Sequence, residues 1–133
     1  PSLGCDRMAL AVLCNAYEKE KINENDTREV LHLHPFLSPY KLAVLPLLKK
    51  YHSEKAMALY QELSKYFMIT YDDSGSIGKR YRRQDAMGTP FAITIDDNTI
   101  NNNTVTIRDR DTMKQITLKI EELPEYIREK TFL

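Results

Sequence analysis

The sequence predicts a small α/β domain with a mixed sheet, carrying a helical segment in front of it. Three observations carry that expectation. Lys41-Leu42-Ala43-Val44-Leu45-Pro46-Leu47-Leu48 is a continuous apolar run, the pattern of a strand covered on both faces. Ser53 to Phe67 then sets Ala56, Leu59, Tyr60, Leu63, Tyr66 and Phe67 at spacings of three and four, which make one helical stripe. Phe91 to Ile95, Thr104 to Arg108 and Gln115 to Ile120 each alternate with period two, as half-buried strands do.

The elements follow in order. Asp6 to about Lys21 contains no helix breaker, and Asp6 can cap its first turn. Met8, Leu10, Val12, Leu13 and Cys14 make this helix apolar on every side, so it is expected to pack against something larger than the rest of the chain. Ile22 to Glu29 is polar and aperiodic and reads as a loop or linker. Val30 to His34 reads as a short strand ended by Pro35, with a further break at Pro39. After the buried strand comes the helix, with Ser53 as its cap. Met68 to Tyr71 is β-like and stops at the turn Asp72-Asp73-Ser74-Gly75. Ile77 to Met87 reads as a short helix. Asp96 to Asn103 and Asp109 to Thr112 are turns between the three alternating strands. Glu121 to Lys130 closes the chain as a helix with Pro124 in its first turn.

Composition narrows the function classes. The 133 residues fit one ordinary domain, and Lys+Arg and Asp+Glu both number 19, so no global field points at nucleic acid or membrane. Any such activity must come from local clustering. Cys5 and Cys14 stand nine residues apart, about 900° of helix turn, so they face opposite ways and no disulfide is expected. A reducing compartment fits. No apolar stretch approaches the ~20 residues of a membrane span and none resembles a secretion signal, so a soluble, cytoplasmic protein with no membrane partner is expected. The chain begins at Pro1 and reads as a piece of something longer.

Two clusters carry possible chemistry. Lys79-Arg80-Tyr81-Arg82-Arg83 places four cations in five residues around an aromatic ring, a set that can neutralise phosphates and stack on unpaired bases. A solvated helix face is the plainer alternative. Arg108-Asp109-Arg110-Asp111 ends a strand whose alternation sets Val105 and Ile107 on one face and Thr106, Arg108 and Arg110 on the other. An Arg beside an Asp suits a splayed-out cytosine, while an ion-pair ladder is the plainer alternative. His32 and His34 share a strand face but have no obvious third ligand, and His52 stands alone, so no metal site is expected. No nucleophile elbow, Gly-rich phosphate loop or Ser-His-Asp set is present.

Three stretches go beyond generic patterning. Pro1-Ser2-Leu3-Gly4-Cys5-Asp6-Arg7-Met8-Ala9-Leu10-Ala11-Val12-Leu13 resembles the third signature motif of class II aminoacyl-tRNA synthetases, whose Arg at the position of Arg7 holds the ATP γ-phosphate. Asp73-Ser74-Gly75-Ser76-Ile77-Gly78-Lys79-Arg80-Tyr81-Arg82-Arg83-Gln84-Asp85, with Met87-Gly88-Thr89-Pro90-Phe91, resembles the C-terminal domain of the homodimeric, bacterial-type glycyl-tRNA synthetases. So does Asn103-Thr104-Val105-Thr106-Ile107-Arg108-Asp109-Arg110-Asp111-Thr112-Met113.

The resemblance implies a class IIa anticodon-binding domain at 30–133, a mixed five-stranded sheet with flanking helices. Before it, 1–29 would be the tail of the catalytic domain and a linker. It implies that the full-length protein is a homodimeric glycine–tRNA ligase using ATP and Mg²⁺, with tRNA-Gly as partner. The segment alone is expected to hold no cofactor and to be inactive. Ser2 matches a glycine-binding position and Arg7 an ATP-binding one, both stranded without the Glu that precedes Pro1 in the family and without the other two class II motifs. Glycine anticodons carry two cytosines, and RNA contact is assigned to Lys79, Arg80, Arg82, Arg83, Arg108, Asp109 and Arg110. This requires the arginine-rich helix and the Arg-Asp strand end to lie side by side. Two other readings compete. A synthetase-like accessory module binding nucleic acid or protein has no reason to keep Arg7, and a small-molecule α/β domain lacks the Gly-rich turn after its first strand.

Overall fold

The computed structural model describes residues 4–131. Helix α1 (Cys5–Ala16) leads into a hairpin of β1 (Tyr17–Asn23) and β2 (Asp26–Leu31). The main sheet follows: β3 (Leu42–Pro46), α2 (Lys49–Leu63), β4 (Ile69–Tyr71), α3 (Ile77–Met87), β5 (Phe91–Ile95), α4 (Asp97–Asn102), β6 (Thr104–Asp109) and β7 (Gln115–Lys119). A 3₁₀ turn at Ile120–Glu122 and helix α5 (Leu123–Thr131) complete it. The strand order is β4-β3-β5-β6-β7, with β3 parallel to β4 and β5, and β6 antiparallel to β5 and β7. The expected mixed five-stranded sheet with flanking helices is therefore present. No helix among the described residues is long and apolar enough to cross a membrane.

The N-terminal quarter corrects the sequence reading. The helix stops at Ala16 rather than near Lys21, and the supposed linker 22–29 belongs to a hairpin in register from Tyr17↔Leu31 to Lys21↔Thr27. Its side chains are mostly exposed, so it has no apolar periodicity to reveal it. Opposite charges across the ladder, Lys19↔Glu29 and Glu20↔Arg28, set the register instead. The strand expected at 30–34 ends at Leu31 and pairs with β1, not with the main sheet. Gly4, not Asp6, is the N-cap of α1, and Asp6 lies within its first turn, where a carboxylate favours the helix dipole.

Further along, α2 starts at Lys49, four residues before Ser53, and buries His52, Ala56, Leu59 and Leu63. The turn expected at 96–103 contains α4, held by a capping box in which Asp96 accepts from the Thr99 amide while Thr99 Oγ1 accepts from the Asp96 amide.

Alternation splits the sheet's two faces. Leu42, Val44, Ile69, Phe91, Ile93, Ile95, Val105 and Ile107 point to one side and pack with Ala56, Leu59 and Leu63 of α2 and Leu123 and Ile127 of α5. On the other side Ala43, Leu45 and Ala92 meet Ile77 and Tyr81 of α3, the small alanines letting the helix approach closely. The hairpin in turn lies against α3, and Gly88, at the left-handed C-cap of that helix (φ 81°), leaves room for Leu31 and Leu33 that a Cβ would take. Only Ala16 of α1 is buried, so Met8, Leu10, Val12 and Leu13 remain uncovered within this chain. Both cysteines are free and exposed.

Candidate nucleic-acid interface

The arginine-rich helix and the Arg-Asp strand end do lie side by side, and what joins them is Asp85. On α3, Tyr81 and Asp85 are one turn apart and face β6. Arg108 Nη1 and Nη2 donate to Asp85 Oδ1 at 2.9 Å and Oδ2 at 3.2 Å, while the guanidinium lies over the Tyr81 ring, 4.8 Å from its centroid. Arg28 of β2 donates from Nη1 to Asp85 Oδ2 at 3.1 Å and to the Arg110 carbonyl at 2.9 Å. One buried carboxylate thus ties together hairpin, α3 and β6. Burial disfavours the charge of Arg28, but Glu20 and Asp85 outweigh it and hold its pKa above the ordinary arginine value.

This network changes the standing of the predicted contact residues. Arg80, Arg108 and Arg110, which the sequence assigns to RNA contact, are buried. Arg80 donates to the carbonyls of Pro46 and Gly75, which joins α3 to the end of β3. Arg110 donates to the carbonyls of Gly88 at 2.7 Å and Leu33 at 2.5 Å, and to Asp111 at 2.9 Å. Asp109 accepts the amides of Asp111 at 2.8 Å and Thr112 at 3.4 Å, a turn-closing role. For Arg80 and Arg110 the physical reason is that carbonyls left unpaired around the turns must be satisfied once buried, whereas Arg108 is held by the buried Asp85 carboxylate.

The other three cations stay at the surface. Lys79 is exposed on the first turn of α3. Arg82 is half-buried and pairs with Asp26 and the Thr27 carbonyl of the hairpin. Arg83 is exposed and reaches Asp72 at 2.8 Å, holding that carboxylate's pKa below its usual range against the opposing effect of burial. Arg7 is exposed on α1, and Ser2 lies outside the described residues.

The feature that sequence reasoning missed is a sheet face. Residues directly opposite across antiparallel strands point the same way, so Thr94↔Thr106↔Thr117, Ala92↔Arg108↔Gln115 and Thr104↔Lys119 all lie on the α3 side. Helix α3 covers Ala92 and, through the Tyr81 hydroxyl, Thr94. Beyond it Gln115, Thr117 and Lys119 are exposed and Thr104 and Thr106 half-buried. The result is an open shelf of hydroxyl, amide and ammonium groups, with Arg108 and Tyr81 at its inner edge. The signal was present in the alternation of β6 and β7, where the non-core positions are almost all Thr, Gln or Lys.

The histidines have internal partners. His52 is buried, accepts the Leu48 amide on Nδ1 and donates from Nε2 to Asp97 at 2.8 Å. His34 Nδ1 accepts the Phe36 amide. Spacing that would suit a divalent cation occurs once among the described residues, at Glu18, Glu20 and His32, and there protein groups fill it: Arg28 on Glu20 and Asp111 on His32.

Comparison with known proteins gives the same architecture a context. Residues 41–130 match the family model described as an anticodon binding domain. Glycine–tRNA ligases of Clostridium kluyveri and Clostridium tetani are 57% identical over 130 residues, 98% of this chain and 28% of theirs. That of Bacillus cereus is 55% identical over the same span. The chain therefore covers little more than a quarter of the length of these relatives. The RNA binding domain of threonyl-tRNA synthetase from Cryptosporidium parvum superposes with a TM-score of 0.70 at 28% identity, covering 77% of this chain and 26% of that one.

Proposed function

Since the chain belongs to the anticodon-binding-domain family, we propose that it serves as the anticodon-binding part of a glycine–tRNA ligase and grips the anticodon loop of tRNA-Gly. The rest of such an enzyme, a homodimer using ATP and Mg²⁺ in the cytoplasm, would attach the glycine. Residues 1–29 are read as the tail of its catalytic domain. A division after residue 29 falls within β2, so the hairpin would be shared between the two parts. The uncovered apolar side chains of α1 support this reading, because an exposed face of that size is what a domain interface would bury. Arg7 keeps its family role toward the ATP phosphate, and Ser2 its role toward glycine.

The observation that carries the RNA proposal is the open β6–β7 shelf. Single-stranded bases are recognised by polar groups reaching their edges and by aromatic or guanidinium surfaces beneath them. Thr104, Thr106, Gln115 and Thr117 supply the first, and Lys119 and Lys79 supply charge for phosphates. Arg80, Arg108, Asp109 and Arg110 then act by holding the shelf in place. Arg82 is tied to the hairpin, and Arg83 to Asp72 beside β4, the edge strand farthest from the shelf. The double variant Thr117→Glu and Lys119→Glu should weaken binding of a tRNA-Gly anticodon stem-loop at least about tenfold through like-charge repulsion. The single change Arg128→Glu, on exposed α5 across the sheet, should weaken it far less. Equal losses in a filter-binding or fluorescence titration would show that only overall charge matters.

A further inference from the structure

We infer that His32 is a proton-operated latch that fastens the α1 end of the β1–β2 hairpin to the turn between β6 and β7. The geometry requires a donor at both ring nitrogens. Nδ1 lies 2.6 Å from Asp111 Oδ1, and Nε2 lies 2.5 Å from Glu20 Oε1 and 3.3 Å from Glu18 Oε2. Ionised carboxylates only accept hydrogen bonds, and a neutral imidazole offers a single N–H. Both contacts are therefore hydrogen bonds only while the ring carries its second proton.

The surrounding charges agree. Glu18 and Glu20 face the ring from β1 and Asp111 from the β6–β7 turn. Arg28 on β2 donates to Glu20 at 2.7 Å and Arg110 to Asp111 at 2.9 Å. Three carboxylates meet two guanidiniums, and the imidazolium makes the set neutral. Losing its proton leaves an excess negative charge and one pair of acceptors face to face. Burial opposes the charged ring, but the hydrogen bonds and charges of Asp111 and Glu20 outweigh it and raise the His32 pKa above its ordinary value. The ring is partly solvent-exposed, so protons can exchange without unfolding.

The sign follows from linkage. A histidine whose pKa is higher folded than unfolded contributes fully below the unfolded value, ~6.5, and the contribution disappears as pH rises through the folded value. Arg28 on Asp85 and Arg82 on Asp26 persist at any such pH, so the hairpin stays attached. What loosens is the segment next to Ala16, whose carbonyl accepts the His32 amide at 2.8 Å. The device thus varies how firmly α1 is carried by the sheet domain, and it stands on the protein's own geometry whether or not RNA binds.

The test is an NMR titration of the whole chain between pH 5.5 and 9, with hydrogen-exchange protection factors, which are corrected for intrinsic pH dependence, read for β1. The ring of His32 should titrate above ~6.5 with both nitrogens protonated below that point, and the Glu18, Glu20 and Asp111 amides should shift with it. Protection at Glu18 and Glu20 should fall about tenfold from low to high pH. His32→Gln should remove that dependence. Asp111→Asn, which keeps the turn's shape, should lower the His32 pKa and serves if the first variant folds poorly. Titration at or below the ordinary value, or β1 protection that does not change with pH, would overturn the proposal.

Discussion

Asp85→Asn is expected to lower the free energy of unfolding by about 3 kcal/mol, seen as a fall of about 10 °C in Tm. The substitution keeps the shape of the side chain and removes only its charge. Arg28 and Arg108, both buried, would then share a neutral amide that can accept on one atom only. Removing one partner of a buried pair is costly because the remaining charge has no solvent to return to. Arg28 retains Glu20, so Arg108 loses more. The same chemistry at the surface gives the contrast. Asp72→Asn breaks the pair with exposed Arg83 and should cost about 1 kcal/mol or less. Thermal melts of the two variants side by side separate the effect of burial from the effect of charge.

Gly88→Ala should be the second large loss, about 2 to 3 kcal/mol. Gly88 closes α3 at φ 81°, a conformation that penalises any Cβ, and the added carbon would meet Leu33 Cδ1 at 2.9 Å and Leu31 Cβ at 3.2 Å. Leu33 could turn aside, but a Cβ moves only with its backbone, and Leu31 belongs to the hairpin. The hairpin would therefore be pushed from α3, and the Arg110 bond to the Gly88 carbonyl would be disturbed with it. Gly78, on the same helix, has nothing within 4 Å of the position a Cβ would take and no unusual φ. Gly78→Ala should stabilise the protein by about 0.5 to 1 kcal/mol. Opposite signs for one substitution at two glycines ten residues apart would tie the cost to backbone conformation and the hairpin contact.

The parts of the fold that were legible in sequence are those with an apolar pattern. Ala43 and Leu45 on one face and Leu42 and Val44 on the other made β3 readable as a strand buried on both sides. Val105 and Ile107 did the same for one face of β6. The hairpin was unreadable for the converse reason: its residues point mostly into water, and of the two that are buried, Val30 and Arg28, the second finds its partner Asp85 57 residues away.

The candidate site divides in a similar way. A run of arginines announces that anions are near but not which anions. Arg108 finds Asp85 23 residues away and Arg28 finds it 57 away, separations that local pattern cannot resolve. The family resemblance carried the anticodon-binding-domain family correctly because it rests on many positions at once. It does not by itself separate contact residues from supporting ones, since a side chain that holds a binding surface together and one that touches the ligand can be equally distinctive in sequence.

In the proposed function the open face of β6 and β7, and not the buried arginines behind it, meets the RNA. Amide chemical-shift mapping during titration with a tRNA-Gly anticodon stem-loop tests it most directly. The largest shifts are expected at Thr104, Thr106, Gln115, Thr117 and Lys119, reduced when the two anticodon cytosines are replaced by uracil. Shifts gathered on α2 and α5, across the sheet, or a footprint indifferent to the cytosines, would contradict it.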